Sequence, residues 1–71
     1  MKFIEAYEQM KMGKNIWRYI QAANKKVRVF VRIYGESFIY TQKVDGLSNT
    51  FVGDITPADL DATDWEVVNE D

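Results

Sequence analysis

Val27-Arg28-Val29-Phe30-Val31-Arg32-Ile33-Tyr34 alternates strictly between two kinds of side chain. Val27, Val29, Val31 and Ile33 form one set; Arg28, Phe30, Arg32 and Tyr34 form the other. A period of two is that of a β-strand, whose successive side chains leave opposite faces. The valine set demands burial, so a layer must cover it, and the arginine–aromatic set is left for a second, amphipathic face. Gly35-Glu36-Ser37 follows as a tight turn, and Phe38-Ile39-Tyr40-Thr41-Gln42 returns as the hairpin partner. On this reading Phe38 and Tyr40 lie beside the arginines and rings of the amphipathic face.

The covering layer is legible upstream. Phe3, Ala6, Tyr7 and Met10 stand at i, i+3, i+4 and i+7, one stripe of an α-helix, with Glu5, Glu8, Gln9 and Lys11 opposite. Glu5 near its start and Lys11 and Lys14 near its end suit the helix dipole. Gly13 is placed to stop the helix, because it takes a left-handed conformation without steric cost. Asn15–Ile20 is then expected as a strand, with Ile16, Arg18 and Ile20 on one side and Trp17 and Tyr19 on the other. Gln21–Lys25 is expected as a connection.

Downstream, Asp45-Gly46 and Ser48-Asn49 mark a loop, and Thr50-Phe51-Val52 adds a short strand. Thr56 is a plausible N-cap, with Pro57 at N1 and Asp59 at N3, for one helical turn ending at Asp61. Trp65-Glu66-Val67-Val68 closes the sheet, with Trp65 as a core anchor, and Asn69–Asp71 is expected as a frayed tail. The expected fold is α+β over a single domain, residues 1–71. One N-terminal helix packs on an antiparallel sheet of four to five strands, with a short helical turn before the last strand.

Composition narrows the chemistry. The 71 residues contain neither cysteine nor histidine, so disulfides, thiolate metal sites and the commonest general base are absent. Asp59, Asp61, Asp64 and Glu66 cluster in sequence, but they fit helix capping, a solvated turn and an exposed strand side better than acid–base work, and lack calcium-loop spacing. We therefore expect no enzyme, no metal and no cofactor. So small a core buries a limited fraction of its chain, and ten aromatic residues favour self-association. No apolar run nears the roughly 20 residues of a membrane span, and Met1-Lys2-Phe3-Ile4-Glu5 does not begin a secretory signal. A cytoplasmic protein is expected.

Charge is segregated along the chain. Through Lys43 there are nine bases and three acids, a net +6; from Val44 onward there are eight acids and no base. The two segments can neutralise each other on folding, or leave a basic face for an anionic ligand. The pI of 5.0 argues against non-specific binding to a nucleic-acid polymer.

Guanidinium groups grip phosphate oxygens bidentately and aromatic rings stack on bases. Arginines interleaved with rings thus suit a nucleotide site. They equally suit an oligomer interface, where Arg and Tyr are enriched, or a plain exposed sheet face. The first two are compatible, since a ligand can sit between subunits.

Both ends of the chain carry a resemblance. Phe3-x-x-Ala6-x-x-x-Met10-Lys11-x-Gly13-Lys14 at the start and Thr56-Pro57-x-Asp59-Leu60-x-Ala62-x-Asp64-Trp65-Glu66-Val67-Val68 at the end resemble the anti-Thoeris sponges. These are small phage proteins that sequester the cyclic ADP-ribose-type signal of a bacterial defence system. Lys14-x-Ile16-x-Arg18 is similar to the Lys-x-Val-x-Arg of that family. There a tryptophan and an Asn-Gly pair usually follow; here Gln21, Ala22 and Ala23 occupy those places. The resemblance implies a non-enzymatic immune-evasion protein in the infected host's cytoplasm, assembled as a homo-oligomer, a tetramer in the family. It would trap a cyclic nucleotide, either a cyclic ADP-ribose isomer or a cyclic di- or trinucleotide. Arg18, Arg28 and Arg32 are expected to hold the pyrophosphate, with Trp17 and Tyr19 or Tyr40 stacking on the adenine. The alternative is a phage accessory protein that docks on a host protein through its aromatic sheet face.

Overall fold

The computed structural model describes residues 1–22 and 24–68, so the expected tail Asn69–Asp71 lies outside the described residues, as does Ala23. Helix α1 (Phe3–Lys11) is followed by strands β1 (Ile16–Ala22), β2 (Lys25–Tyr34), β3 (Ser37–Val44) and β4 (Leu47–Gly53). A short helix α2 (Pro57–Asp61) then leads to β5 (Glu66–Val67). The strands form one antiparallel sheet in the order β4-β3-β2-β1-β5. The α+β architecture matches the sequence reading.

The strands run further than their sequence signals. The expected connection Gln21–Lys25 is mostly ladder: Gln21 pairs with Lys26 and Ala22 with Lys25. Likewise Ser48 and Asn49 are not loop but lie within β4, paired with Lys43 and Gln42. The reason is the turn between them. Asp45 and Gly46 both have positive φ, 50° and 80°, the two-residue geometry whose twist matches the flanking strands. Once that turn sets the register, weakly β-prone polar residues join the ladder because their backbone groups find partners there.

Helix α1 ends as its glycine suggests. Gly13, at φ 88°, lets its own N–H bond to the Met10 carbonyl at 2.9 Å and that of Lys14 to the Gln9 carbonyl at 3.2 Å. The helix lays Phe3, Ala6 and Met10 onto Ile16, Val27, Val29, Val31, Tyr40 and Trp65, which together are the buried core.

Register assigns every strand residue to a face. Ile16, Arg18 and Ile20 stand beside Val31, Val29 and Val27; Val31 and Ile33 stand beside Tyr40 and Phe38; Tyr40 stands beside Phe51. These residues share the face that α1 covers. Trp17, Tyr19, Lys26, Arg28, Phe30, Arg32, Ile39, Thr41 and Lys43 share the opposite, open face.

Candidate functional site

Phe38 and Tyr40 do not lie beside the arginine–aromatic ladder; this corrects the sequence expectation. Arg32 pairs with Ile39, Phe30 with Thr41 and Arg28 with Lys43, so the neighbours on the open face are Ile39, Thr41 and Lys43. Phe38 and Tyr40 sit one residue out of phase and turn inward. Phe38 meets the rings of Phe3 and Tyr7, at 6.2 and 6.4 Å between centroids.

The six expected ligand residues therefore divide. Trp17, Tyr19, Arg28 and Arg32 come together on the open face, while Arg18 and Tyr40 face the other way. Arg18 is also engaged: its guanidinium donates to Asp59 at 2.8 Å and to Asp64 at 3.0 Å, and lies over the Trp65 ring at 5.6 Å. It ties β1 to the acidic segment around α2 and is not available to hold a pyrophosphate beside Arg28.

On the open face, cations and rings form one continuous run. Lys26 lies over Tyr19 at 4.3 Å, and Tyr19 meets Trp17 edge-on at 5.1 Å. Arg28 lies over Trp17 at 4.1 Å and over Phe30 at 4.7 Å, and Lys43 over Phe30 at 5.1 Å. The ring faces attract the cations and hold them pointing along the sheet. Lys43 was not anticipated in this group; its signal is its register opposite Arg28, which no periodicity within one strand reveals.

Among the described residues, Lys26, Arg28, Arg32 and Lys43 form no ion pair, whereas Lys11, Arg18 and Lys25 are paired with acids. Among the described residues, the basic and acidic segments pair at Arg18 with Asp59 and Asp64 and at Lys25 with Asp45. Arg28 further carries a buried Nε with no hydrogen-bond partner. Beside it opens a cleft of about 530 Å³ lined by Met1, Trp17, Arg28, Glu66, Val67 and Val68. Glu66 is its one carboxylate, so the anion-favouring side runs from Arg28 towards Lys26 and Lys43. Arg32 stands four residues from Arg28 on the same strand, roughly 13 Å away at about 3.3 Å per residue. Phe30 stands between them on the same face.

Gln21, at the place of the tryptophan in the resembled family, is exposed and shares the open face with Trp17 and Tyr19. The rings on this strand, Tyr19 and Trp17, stand two and four residues earlier.

Tyr40 belongs to the covered face, where it is 5% exposed and its ring stacks on Phe51 at 5.4 Å and 9°. Burial, with Asp59 and Asp54 nearby, pushes its phenol up to about 12. An unfolded tyrosine titrates near about 10. Between those values the unfolded chain loses its proton first, so stability is full below about pH 10 and falls as pH rises through about 12. Urea melts at about pH 9 and about pH 11 should show a smaller alkaline loss for Tyr40→Phe than for the parent. Equal losses would count against this linkage.

Among the described residues, no three Asp, Glu, His or Cys side chains converge as metal ligands would. No described helix is long and apolar enough to cross a membrane. No protein-family model, curated protein or solved structure matches this chain.

Proposed function

We propose that this chain is a non-catalytic binding protein for an anionic nucleotide, and that it acts by sequestering a cyclic ADP-ribose-type immune signal. The observation that carries the reading is Arg28. Its guanidinium is packed against Trp17 and Phe30, its Nε has no partner, and Lys26 and Lys43 extend the same ladder without acids. The Nε itself is closed off, but the outer guanidinium nitrogens are not, and they make no hydrogen bond among the described residues; a phosphate oxygen is the acceptor such a fork takes. The neighbouring rings offer the stacking faces a base needs. The terminal motifs shared with the anti-Thoeris sponges supply the biological setting, a phage protein acting in the cytoplasm of its bacterial host. The mechanism is mass action: a binder made in excess lowers the free messenger below the level its effector requires.

A thermal-shift screen against cyclic ADP-ribose isomers and cyclic dinucleotides tests this directly. Stabilisation by one of them, with the nucleotide returned intact after heat denaturation, is the expected result. No shift with any of them would overturn it.

The chain assembles with itself in this reading, as a tetramer if it follows the family it resembles. Tyr19 and Tyr34 on the open face are 40% and 57% exposed, with Val52 at 57% beyond them, apolar area that assembly removes from water. Light scattering at micromolar concentration should give a multiple of the 8.3 kDa chain mass. A monomer mass would refute assembly.

The second reading, a docking surface for a host protein, is favoured by the same exposed Tyr34 and Val52, which lie away from the Arg28 cleft. Pull-down of a host partner by a protein indifferent to nucleotides would establish it in place of the first.

A further inference from the structure

The two edges of the sheet are not alike. Strand β5 is two residues long, and Met1 closes the backbone beside it. The Trp65 N–H donates to the Met1 carbonyl at 3.2 Å, and the Met1 ammonium to the Trp65 carbonyl at 2.8 Å. Strand β4 is seven residues long, and Leu47 to Val52 are all exposed. The two-residue turn at Asp45-Gly46 makes Val44 and Leu47 a hydrogen-bonded pair, so Leu47, Asn49, Phe51 and Gly53 turn their backbone groups to β3. Ser48, Thr50 and Val52 turn theirs outward, where they meet no backbone partner among the described residues.

Proteins usually blunt such an edge with a lysine, a proline, a bulge or a covering loop. Leu47-Ser48-Asn49-Thr50-Phe51-Val52-Gly53 contains neither charge nor proline, and its pairing with β3 is unbroken. It exposes Leu47 at 71%, Phe51 at 45% and Val52 at 57%. The segment is also complementary to itself. Set antiparallel to a second β4, it can place Thr50 against Thr50 and Ser48 against Val52, so that every outward N–H and C=O finds a partner. Leu47 then falls opposite Gly53 of the other copy and diagonal to its Phe51 ring. Thr41 and Thr50 join hydroxyls at 3.1 Å, and the same row continues through Thr50 of the second copy. Asp45 and Asp54 stand beyond the two ends of the strand, and Asp45 is paired with Lys25.

We propose that β4 is the contact edge for a second copy of this chain, paired antiparallel about a two-fold axis through Thr50. The product is one continuous sheet, five strands from each chain, with both α1 helices on one side and both arginine–aromatic ladders on the other. Because β5 is closed off, the pairing ends at two chains and does not propagate along the sheet. The two Arg28 side chains stand five strand spacings apart, roughly 24 Å at about 4.8 Å each, so each ladder remains a separate site. The edge locates one interface of the self-assembly proposed above. It does not rest on the nucleotide reading, and its test separates the two.

The chain has no cysteine, so Thr50→Cys reports on the pairing directly. Hydrogen-bonded antiparallel partners lie about 5.5 Å apart between Cα atoms, within disulfide reach, whereas Ser48 and its own copy are four residues out of register, roughly 13 Å. Under mild oxidation at micromolar concentration, Thr50→Cys should run as a disulfide-linked dimer on a non-reducing gel and Ser48→Cys as a monomer. Thr50→Lys sets two ammonium groups face to face. It should raise the dimer's dissociation constant about tenfold in sedimentation equilibrium, while the chain still melts cooperatively. Mixing Thr50→Lys with Thr50→Glu chains should restore a dimer of one of each, as a contact of position 50 with itself requires. A parent chain that sediments as a monomer at micromolar concentration overturns the proposal. Equal cross-linking of the two cysteine variants, or parental assembly in Thr50→Lys, would place self-association away from β4 and overturn it equally. The nucleotide thermal-shift screen is scored apart from these masses, so failure of either reading is visible without the other.

Discussion

Trp65→Ala should leave little folded protein. The indole is fully buried, packs edge-on against Phe3 at 5.7 Å, lies under the Arg18 guanidinium, and donates from Nε1 to the Asp59 carbonyl at 2.9 Å. It thus joins α1, β1 and α2 at one point. Removing a buried aromatic of this kind costs roughly 3–5 kcal/mol. A chain of this length has a total stability of about 4–10 kcal/mol at roughly 0.05–0.15 kcal/mol per residue. The loss is therefore a large share of the whole. A urea melt should show a midpoint displaced far towards zero denaturant, or no cooperative transition. A cooperative melt with the parent midpoint would show that Trp65 does not hold the core.

Arg28→Ala should weaken the proposed nucleotide binding by roughly 1.5–3 kcal/mol, the scale of a hydrogen bond to a charged group. The fold should survive, because the side chain stands on the open face and makes no ion pair among the described residues. Lysine at this position should restore only part of the affinity, since a point charge cannot reproduce the planar fork or its stacking on Trp17 and Phe30. Arg32→Ala should cost less than Arg28→Ala, because Arg32 is exposed and lacks the ring sandwich. Arg18→Ala should behave in the opposite sense. It leaves Asp59, whose side chain is 14% exposed, without its cation, so stability falls by roughly 1–3 kcal/mol while nucleotide affinity per folded molecule holds. Calorimetry beside size-exclusion on each variant separates these outcomes. An intact Arg28→Ala, Arg32→Ala double variant with parental affinity would remove both residues from the site. Dissociation of the same variant into smaller species would make the ladder a subunit interface instead.

The sequence by itself determined the elements whose signals are local. The stripe of Phe3, Ala6 and Met10 with Gly13 behind it defined α1; the valine alternation defined β2; Thr56, Pro57 and Asp59 defined α2 to the residue. Trp65 was legible as an anchor because so large a ring in so short a chain has few places to go. Each of these follows from the geometry of a single helix turn or strand, which a short window contains. The ends of β1, β3 and β4 were not legible, because polar residues such as Gln21, Ser48 and Asn49 enter a ladder through backbone partners and not through propensity.

Tertiary structure alone decided how the site residues divide between faces. Alternation placed Arg28 and Phe30 together, since both lie on one strand. Whether Tyr40 or Lys43 joins them depends on register across a turn, where a shift of one residue exchanges the faces. The Gly35-Glu36 turn pairs Val31 with Tyr40 and Arg28 with Lys43, which buries the tyrosine and exposes the lysine. Arg18 likewise read as a ligand residue until Asp59 and Asp64, 41 and 46 positions away in the chain, came to meet it. Contacts of that separation are made by the packing of α2 against the sheet, and no periodicity in the sequence records them.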